Sequence, residues 1–350
     1  DPASRTLLLG ESITTGAPIV FNTHGAGTLL FARDGTLLAS IGESASAASV
    51  DAGSAAESYY AQALADGIIR PAENVGAFRA QLVNSFSGKV LRMDPNTGDG
   101  IPSNPFYDPA APRAPKSRVW AMGFRNPYRL TLRPGTGSTN PADGDIGTLL
   151  IGDVGWNTWE EFNVCTGPGM NFGWPLYEGF EPHIGYSAAL TANFDQPNPS
   201  YDGFSCNVPY FRFQDLLKQA TPQHVNGHPN PCDANSQIPN SIPKFFHERP
   251  SIDYMHGNRS RCGTFNGDVA TTTDLDDVAS PVPGPRFGGY AAIGGPWDAW
   301  NAFPADYRNC AYHADYAAGW IRRFVYDANG QVTSVHDFAS LLGAVNWLGK

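Results

Sequence analysis

Short apolar runs that end in tight turns recur along this chain. The Asp34-Gly35 turn separates two such runs, and the apolar runs at residues 89–94 and 320–326 each lead into a turn that contains an Asn and a Gly. An Asp-Gly pair between apolar runs is a strong signal for a β-hairpin. Strand–turn units at irregular spacing are typical of propeller blades that carry long insertions. The pattern therefore predicts an all-β fold.

The composition agrees with many short strands and argues against several classes of protein. The 38 glycines and 29 prolines are spread along the chain, which long helices do not tolerate. The net charge is −10 and no run of Lys or Arg occurs, so we expect no nucleic-acid partner, because neutralising phosphates requires clustered cations. No apolar run approaches the ~18 residues of a membrane span, and none is expected.

Long insertions separate the predicted strands. Residues 57–66 and 75–84 carry Ala, Gln and Leu at spacings that fit helices. Residues 181–245 are rich in Pro, Asn and Gly and show little periodicity, apart from a helical turn predicted at 214–219. Loops of this length are usually functional or cross-linked. No linker divides the chain, which predicts a single domain over residues 1–350.

The five cysteines lie at positions 165, 206, 232, 262 and 310, without the paired spacing of a zinc site. Cys206 and Cys232 flank a loop rich in Pro and Asn, and we predict a disulfide between them. Disulfides persist in oxidising compartments, so the protein is expected to be secreted, periplasmic or at the cell surface. The count is odd, so at least one thiol is free or pairs outside the chain.

Residues 119–175 contain the densest group of motifs. An Arg-Asn-Pro sequence begins at Arg125 and places a guanidinium and an amide on a stiff turn. A Gly-Asp-Val-Gly sequence ends at Gly155, where the backbone can bend and present its carbonyls. Upstream, His24 is followed by Gly-Ala-Gly, which leaves an imidazole exposed at the entry to a strand. The guanidinium can bind an anion, the backbone carbonyls can bind a hard cation, and the imidazole can accept a proton.

In this order, the motifs resemble those of the soluble aldose/sorbosone dehydrogenases, which are six-bladed β-propellers that use pyrroloquinoline quinone (PQQ) and Ca²⁺. The resemblance covers roughly residues 6–345. It implies a propeller of the PQQ sugar dehydrogenase type, with about five blades represented and pieces absent at both ends. Missing segments or a partner chain are then expected to complete the ring.

The resemblance also implies roles for individual residues. His24 matches the general base that removes the hydroxyl proton of the sugar. Arg125 matches the residue that hydrogen-bonds the quinone carbonyl, with Asn126 beside it. The carbonyls of Gly155 and Trp156 match ligands of the Ca²⁺ that also binds PQQ.

Further residues match other sites of the family. Glu161 and the carbonyl of Phe172 match a second, structural Ca²⁺ site of some members. PQQ carries carboxylates, so Arg261 is a candidate cation for the cofactor. His313 and Asp315 either face the cofactor or pin the edge of a blade.

Two functions follow as expectations. The first is PQQ- and Ca²⁺-dependent oxidation of an aldose or related alcohol, with hydride passing to the quinone and electrons to an external acceptor. The alternative is a non-catalytic secreted or surface propeller that binds carbohydrate or protein. Thr23 favours the alternative, because some family members have an Asp there that orients the catalytic His. A hydrolytic propeller such as a lactonase ranks third, because no clear set of metal-binding carboxylates is visible.

Overall fold

The first sheet is a four-stranded antiparallel meander. A computed structural model describes residues 5–222, 227–298 and 303–345. Sheet 1 comprises β1 (Ala26–Phe31), β2 (Leu37–Ile41), β3 (Lys89–Met93) and β4 (Val119–Met122). The Asp34-Gly35 turn joins β1 to β2, as predicted, with Gly35 at φ 82°.

Short helices occupy the connections of sheet 1. Helix α1 (Tyr60–Ala65) and 3₁₀ helices at Pro71–Glu73 and Gly76–Gln81 lie between β2 and β3, and α2 (Pro115–Arg118) precedes β4. The helical predictions for residues 57–66 and 75–84 are thus confirmed over their central residues.

The second sheet begins with β5 (Pro127–Leu132), β6 (Leu149–Asp153) and β7 (Trp159–Cys165), with a 3₁₀ helix at Pro141–Asp143 between β5 and β6. The chain then leaves the sheet for the insertion of residues 166–251. The strands and helices of this insertion are short: β8 (Tyr177–Glu178), β9 (Glu181–Pro182), α3 (Ile184–Ala188), β10 (Ala192–Pro197), β11 (Tyr210–Arg212), α4 (Phe213–Leu216), β12 (Leu217–Gln219), β13 (Pro229–Asn230), β14 (Asp233–Gln237) and β15 (Phe245–His247).

The insertion differs from its prediction in one place. The helical turn predicted at 214–219 forms only over its first residues, in α4, because Leu217–Gln219 instead pairs in parallel with β15. The predicted disulfide between Cys206 and Cys232 is confirmed and links the segment before β11 to the residue before β14, with a Cα–Cα distance of 5.2 Å. The remaining thiols, Cys165, Cys262 and Cys310, are buried.

After the insertion the chain returns to sheet 2 and then forms a third sheet. Strands β16 (Ile252–Met255), β17 (Ser260–Asn266) and β18 (Val269–Asp274) extend sheet 2 to the order β18-β17-β16-β7-β6-β5. Sheet 3 is an antiparallel meander of β19 (Ala292–Ile293), β20 (Cys310–Asp315), β21 (Trp320–Tyr326) and β22 (Val332–Ala339), with a 3₁₀ helix at Ala305–Tyr307.

The three sheets stack face to face in chain order. Alternate side chains of a strand point to opposite faces, and β6 shows both contacts. Leu149 and Ile151 pack against Trp120 of sheet 1, whereas Leu150 joins a cluster with Phe324 of sheet 3. Successive antiparallel meanders that stack in this way are the arrangement of propeller blades.

This architecture confirms the predicted all-β fold of the PQQ sugar dehydrogenase type. The prediction of about five blades is not confirmed, since three sheets of four or more strands are present in residues 5–222, 227–298 and 303–345. Within the same residues, no helix is long and apolar enough to cross a membrane.

Candidate functional site

His24 and Glu43 form a hydrogen-bonded pair at one end of sheet 1. His24 lies just before β1 and Glu43 just after β2, so the antiparallel pairing of these strands brings the two residues together. The His24 Nδ1 lies 2.6 Å from the Glu43 Oε1. Gly42, the residue before Glu43, allows the two backbone segments to approach closely, because a Cβ there would lie 2.4 Å from the His24 carbonyl oxygen.

Glu43 is the carboxylate partner of His24, and the sequence analysis did not identify it. Thr23, at the position where some family members have Asp, has a buried hydroxyl for which the described part of the chain provides no hydrogen-bond partner. The carboxylate comes instead from 19 residues downstream of His24. The strand pairing was the signal that could have revealed it, because the Asp34-Gly35 hairpin fixes which residues beyond its two strands meet.

The surroundings of His24 favour a neutral imidazole. Burial lowers the pKa of His24 from its ordinary 6.5, the hydrogen bond that His24 donates to Glu43 opposes this, and the nearby charge of Arg125 lowers the pKa further. A carboxylate only accepts hydrogen bonds, so Nδ1 carries the proton in this pair. Nε2 is then the basic nitrogen, and a base held neutral near pH 7 can accept a proton from a substrate.

Arg125 lies on the turn between β4 and β5, where the stiff Arg-Asn-Pro sequence was expected to place it. The turn is held by Asp153, whose carboxylate accepts backbone N–H bonds from Arg125 at 3.1 Å and Asn126 at 2.6 Å. The Glu43 backbone N–H donates to the Arg125 carbonyl at 2.9 Å. The structure therefore brings His24, Glu43 and Arg125 into one site.

The guanidinium of Arg125 is buried and contacts carbonyls rather than carboxylates. Its Nη1 donates to the carbonyl of Val154 at 3.0 Å and also to that of Gly155. The charge lies 5.5 Å from the centre of the Trp174 ring. No salt bridge of Arg125 is present among the described residues. This cation thus keeps its positive charge available for an anionic or polarised oxygen.

The loop after Gly155 is organised by a buried carboxylate that sequence reasoning also missed. Oε1 of Glu178 accepts backbone N–H bonds from the four successive residues of 156–159, at 2.8 to 3.2 Å. The Gly155 N–H donates to Glu160 at 3.1 Å. A Cβ at position 155 would lie 1.7 Å from the Trp159 carbonyl oxygen, so glycine is required there. The inward N–H groups leave the carbonyls of 154 and 155 facing Arg125.

The predicted Ca²⁺ ligands lie in different surroundings. The Gly155 carbonyl accepts from Arg125, while the indole of Trp156 donates to the Ala47 carbonyl at 2.8 Å. The Phe172 ring lies in the core and stacks on Phe124 at 4.8 Å. Within the described part of the chain, no group of three or more His, Cys, Asp or Glu side chains could hold a metal ion. A Ca²⁺ site here would therefore depend on backbone carbonyls, and it stays a prediction.

Glu161 belongs to a row of residues that lie directly opposite one another across sheet 2. The row runs from Asp153 through Glu161 and Asp253 to Arg261, on four neighbouring strands. Glu161 accepts hydrogen bonds from the Gly179 N–H at 2.7 Å and from an Asn side chain at 2.9 Å. Burial raises the pKa of Glu161 well above its ordinary value and those of Asp153 and Asp253 to about 7 and about 6.

Arg261 is neutralised inside this row. It makes two hydrogen bonds to Asp253, at 3.0 and 2.6 Å, and one to Glu181 at 2.6 Å. Its guanidinium lies 3.5 Å from the centre of the Trp159 ring, and the residue is only 2% exposed. A cofactor carboxylate could bind Arg261 only by displacing these two acidic partners, and the role of Arg261 in cofactor binding stays a prediction.

His313 and Asp315 pin sheet 3. The imidazole of His313 is buried against Phe162, with ring centres 4.4 Å apart, and its Nε2 lies 2.9 Å from the Tyr326 hydroxyl. Burial lowers the pKa of His313 to about 3. Asp315 accepts hydrogen bonds from the Tyr254 hydroxyl and from four backbone N–H groups. Of the two roles considered, these contacts fit pinning of a blade edge.

A cleft of about 430 Å³ opens beside the Arg-Asn-Pro turn. Its volume is within the range of small-molecule sites. The lining residues come from both sides of the boundary between sheets 2 and 3: Asn126, Tyr128, Val154, Ala291, Ile293 and Tyr316. Asn126 thus lies at a cavity wall, next to the buried Arg125.

The sequence pattern of the glucose/sorbosone dehydrogenase family matches residues 11–202, which is more than half of the chain and includes His24, Glu43 and Arg125. The chain belongs to this family. The description of the family is that of sugar dehydrogenases, so the resemblance based on the motifs is confirmed.

Individual relatives are distant. The HIPL1 protein of Arabidopsis thaliana is 29% identical over an alignment of 184 residues, which covers 47% of this chain and 20% of that protein. A crystal structure of glucose dehydrogenase is 18% identical, covering 90% of this chain and 55% of its own, with a TM-score of 0.44. The PQQ-bound aldose sugar dehydrogenase of Streptomyces coelicolor is 17% identical, covering 94% and 62%, with a TM-score of 0.33. The chain thus spans a fifth of the curated relative and just over half of the glucose dehydrogenase.

Proposed function

We propose that this chain supplies the catalytic centre of a PQQ- and Ca²⁺-dependent dehydrogenase that oxidises an aldose or a related alcohol. The observation that carries the proposal is the connection of His24, through Glu43, to the backbone of Arg125. A base and a cation held in one rigid unit can act on the two partners of one hydride transfer, the base on the sugar and the cation on the acceptor. The family to which the chain belongs gives the class of substrate.

Two residues would act on the reacting atoms. Nε2 of His24 would accept the hydroxyl proton of the sugar while Glu43 holds the ring in the productive tautomer. The Arg125 guanidinium would stabilise negative charge on the acceptor oxygen. PQQ, when bound, supplies the quinone that accepts hydride and passes electrons to an external acceptor.

The residues present fit the quinone end of PQQ better than its carboxylates. Arg125 is a buried cation without an acidic partner among the described residues, and Asn126 beside it lines the cleft. The candidate for the carboxylates, Arg261, is already bound to Asp253 and Glu181. For Ca²⁺, the carbonyls of Gly155 and Trp156 are suitable oxygen ligands. The hydrogen bond from Arg125 to the Gly155 carbonyl would then have to break.

The propeller ring is proposed to be completed by further protein. Leu29 and Phe31 on β1 are 71% and 64% exposed and lie on the same face of the strand. Apolar side chains on one face of a sheet are normally covered. Either further propeller strands or a partner chain would bury them. The disulfide supports the proposal that the protein is secreted, periplasmic or at the cell surface.

The alternative is a propeller that binds carbohydrate or protein without chemistry. The neutralisation of Arg261 favours it, because a tricarboxylate cofactor gains little from a cation already paired twice. The two functions differ in their dependence on His24. A dehydrogenase loses turnover in His24→Ala, whereas a binding module keeps its ligand.

The experiment is reconstitution of the protein with PQQ and Ca²⁺, followed by dye reduction with a panel of aldoses. We expect sugar-dependent reduction that is lost in His24→Ala and retained in Thr23→Ala, which changes the neighbouring residue without touching the pair. Saturable binding of a sugar without dye reduction in the wild-type protein would contradict the proposal and support the alternative.

A further inference from the structure

Arg79 is a fully buried cation outside every motif discussed so far. It lies on the 3₁₀ helix Gly76–Gln81, in the connection between β2 and β3, and is 1% exposed. Removing a guanidinium from water is costly unless partners compensate. The position of Arg79 therefore needs an explanation in what it contacts.

Its contacts are with the backbone that carries the catalytic carboxylate. Nη2 of Arg79 donates to the carbonyl of Glu43 at 3.2 Å and to that of Ser44 at 3.0 Å. Ser44 has a φ of 50°, a left-handed conformation that is unfavourable for serine unless its surroundings hold it. Arg79 thus fixes two consecutive carbonyls of a strained turn.

The same turn is held from the side of His24. The Ser44 hydroxyl accepts the backbone N–H of Val20 at 3.0 Å and of Phe21 at 3.3 Å. These residues lie shortly before His24 in the chain. The segment that carries His24 and the segment that carries Glu43 therefore meet at Ser44, whose carbonyl accepts a hydrogen bond from Arg79.

Arg79 also supplies charge. Its pKa is lowered by burial, and the groups that oppose this are Asp51, Glu43, Glu73 and Tyr186. Oε2 of Glu43 is buried and has no hydrogen-bond partner in the described structure. A buried carboxylate with only one oxygen bonded depends on nearby positive charge. Arg79 is a cation placed to provide it.

We propose that Arg79 is a positioning residue that holds Glu43 in place for its hydrogen bond to His24. The inference rests on the proposed function, because it assigns Arg79 to the centre in which His24 is the base. It is nevertheless a statement about geometry and can be tested without turnover.

The test compares Arg79→Met and Arg79→Lys with Arg92→Met. Arg92 is a matched control, because it is equally buried in sheet 1 but pairs with Asp34 at 2.6 Å, away from His24. The direct readout is the strongly deshielded Nδ1–H proton of a short His–carboxylate hydrogen bond in the NMR spectrum, assigned by its loss in His24→Gln. The second readout is kcat and KM of the PQQ- and Ca²⁺-loaded protein.

In Arg79→Met we expect the Nδ1–H signal to be lost and kcat to fall about tenfold or more, with KM for the sugar little changed. Arg79→Lys keeps the charge and should recover part of both. Arg92→Met should lower the melting temperature and leave the signal in place. If Arg79→Met fails to fold, the signal in Arg79→Lys decides, since a single ammonium cannot reproduce the guanidinium geometry and should weaken it.

An unchanged Nδ1–H signal and kcat in the folded Arg79 variants would overturn the inference, as would an equal loss of signal in Arg92→Met. A wild-type protein without sugar oxidation refutes the proposed function instead, and in that case the NMR comparison still tests Arg79.

Discussion

The two buried arginines of the candidate site have opposite surroundings. Both guanidinium groups lie over a Trp ring, but Arg125 donates to two backbone carbonyls, whereas Arg261 is bonded to two carboxylates. The two histidines of the motifs also differ in their partners. His24 has a carboxylate on one nitrogen, while His313 is packed against an aromatic ring and bonded to a tyrosine.

The comparison separates the polar groups that are available for chemistry from those that hold the fold together. Around His24 and Arg125, charges are placed without full compensation, which costs stability and leaves capacity for a ligand. Arg261 uses its guanidinium on Asp253 and Glu181, and His313 is buried with Nε2 bonded to Tyr326 and with no partner for Nδ1 among the described residues. If this separation is real, mutations in the first region should affect turnover and mutations in the second should affect stability.

The largest effect is expected on stability, from Arg261→Met. It leaves the carboxylate of Asp253 buried without its cation, and breaking one partner of such a pair costs about 3–5 kcal/mol. Chemical denaturation measures the change. The matched variant Arg259→Met removes a more exposed arginine of the same segment, which pairs with Asp274, and should cost less than about 1 kcal/mol. Similar losses in the two variants would remove the distinction.

Arg125→Met is expected to act on turnover. Loss of a group that stabilises a developing oxyanion typically lowers kcat by about 10²–10³-fold. We expect this in the PQQ-loaded protein, with a smaller loss of stability than in Arg261→Met. A variant that keeps its turnover would place Arg125 with Arg261, among the residues that only support the fold.

His313 gives a prediction in pH. The unfolded chain has its ordinary pKa of 6.5 and the folded state a pKa of about 3, so the stability that His313 contributes is present above pH 6.5 and is lost as the pH falls. Between pH 7.5 and 5 this loss is about 2 kcal/mol.

The measurement is the free energy of unfolding at both pH values, in the wild type and in His313→Phe. The variant loses stability at pH 7.5, because the Tyr326 hydroxyl loses its partner, but should lack this part of the pH dependence. An equally steep loss in both proteins would show that His313 is not held neutral.

The fold and the main motif were accessible from the sequence for identifiable reasons. An Asp-Gly turn between apolar runs specifies a hairpin locally, and the Arg-Asn-Pro sequence at Arg125 restricts its own backbone. The Cys206–Cys232 disulfide followed from the composition of the loop between the two residues. Each of these inferences depends on residues close together in the chain.

The residues that the sequence did not reveal are brought together by strand register and by loop contacts. Glu43 meets His24 through the register of β1 and β2, and Glu178 caps a loop about 20 residues away. Neither lies in a recognisable motif. Arg261 has the residue type that an anionic cofactor needs, and only the register of β16 with β17 shows that Asp253 lies opposite it.

The central claim is that His24 acts as a base because Glu43 holds it. Its most direct test is kcat for sugar-dependent dye reduction by the protein loaded with PQQ and Ca²⁺, in the wild type, Glu43→Gln and Glu57→Gln. Glu57 is the control, because it lies on the same connection as Glu43 and its carboxylate accepts hydrogen bonds from Ser46 and Ser49. We predict a fall in kcat of about 10²–10⁴-fold for Glu43→Gln, with KM little changed and Glu57→Gln unaffected. Wild-type turnover in Glu43→Gln would contradict the claim.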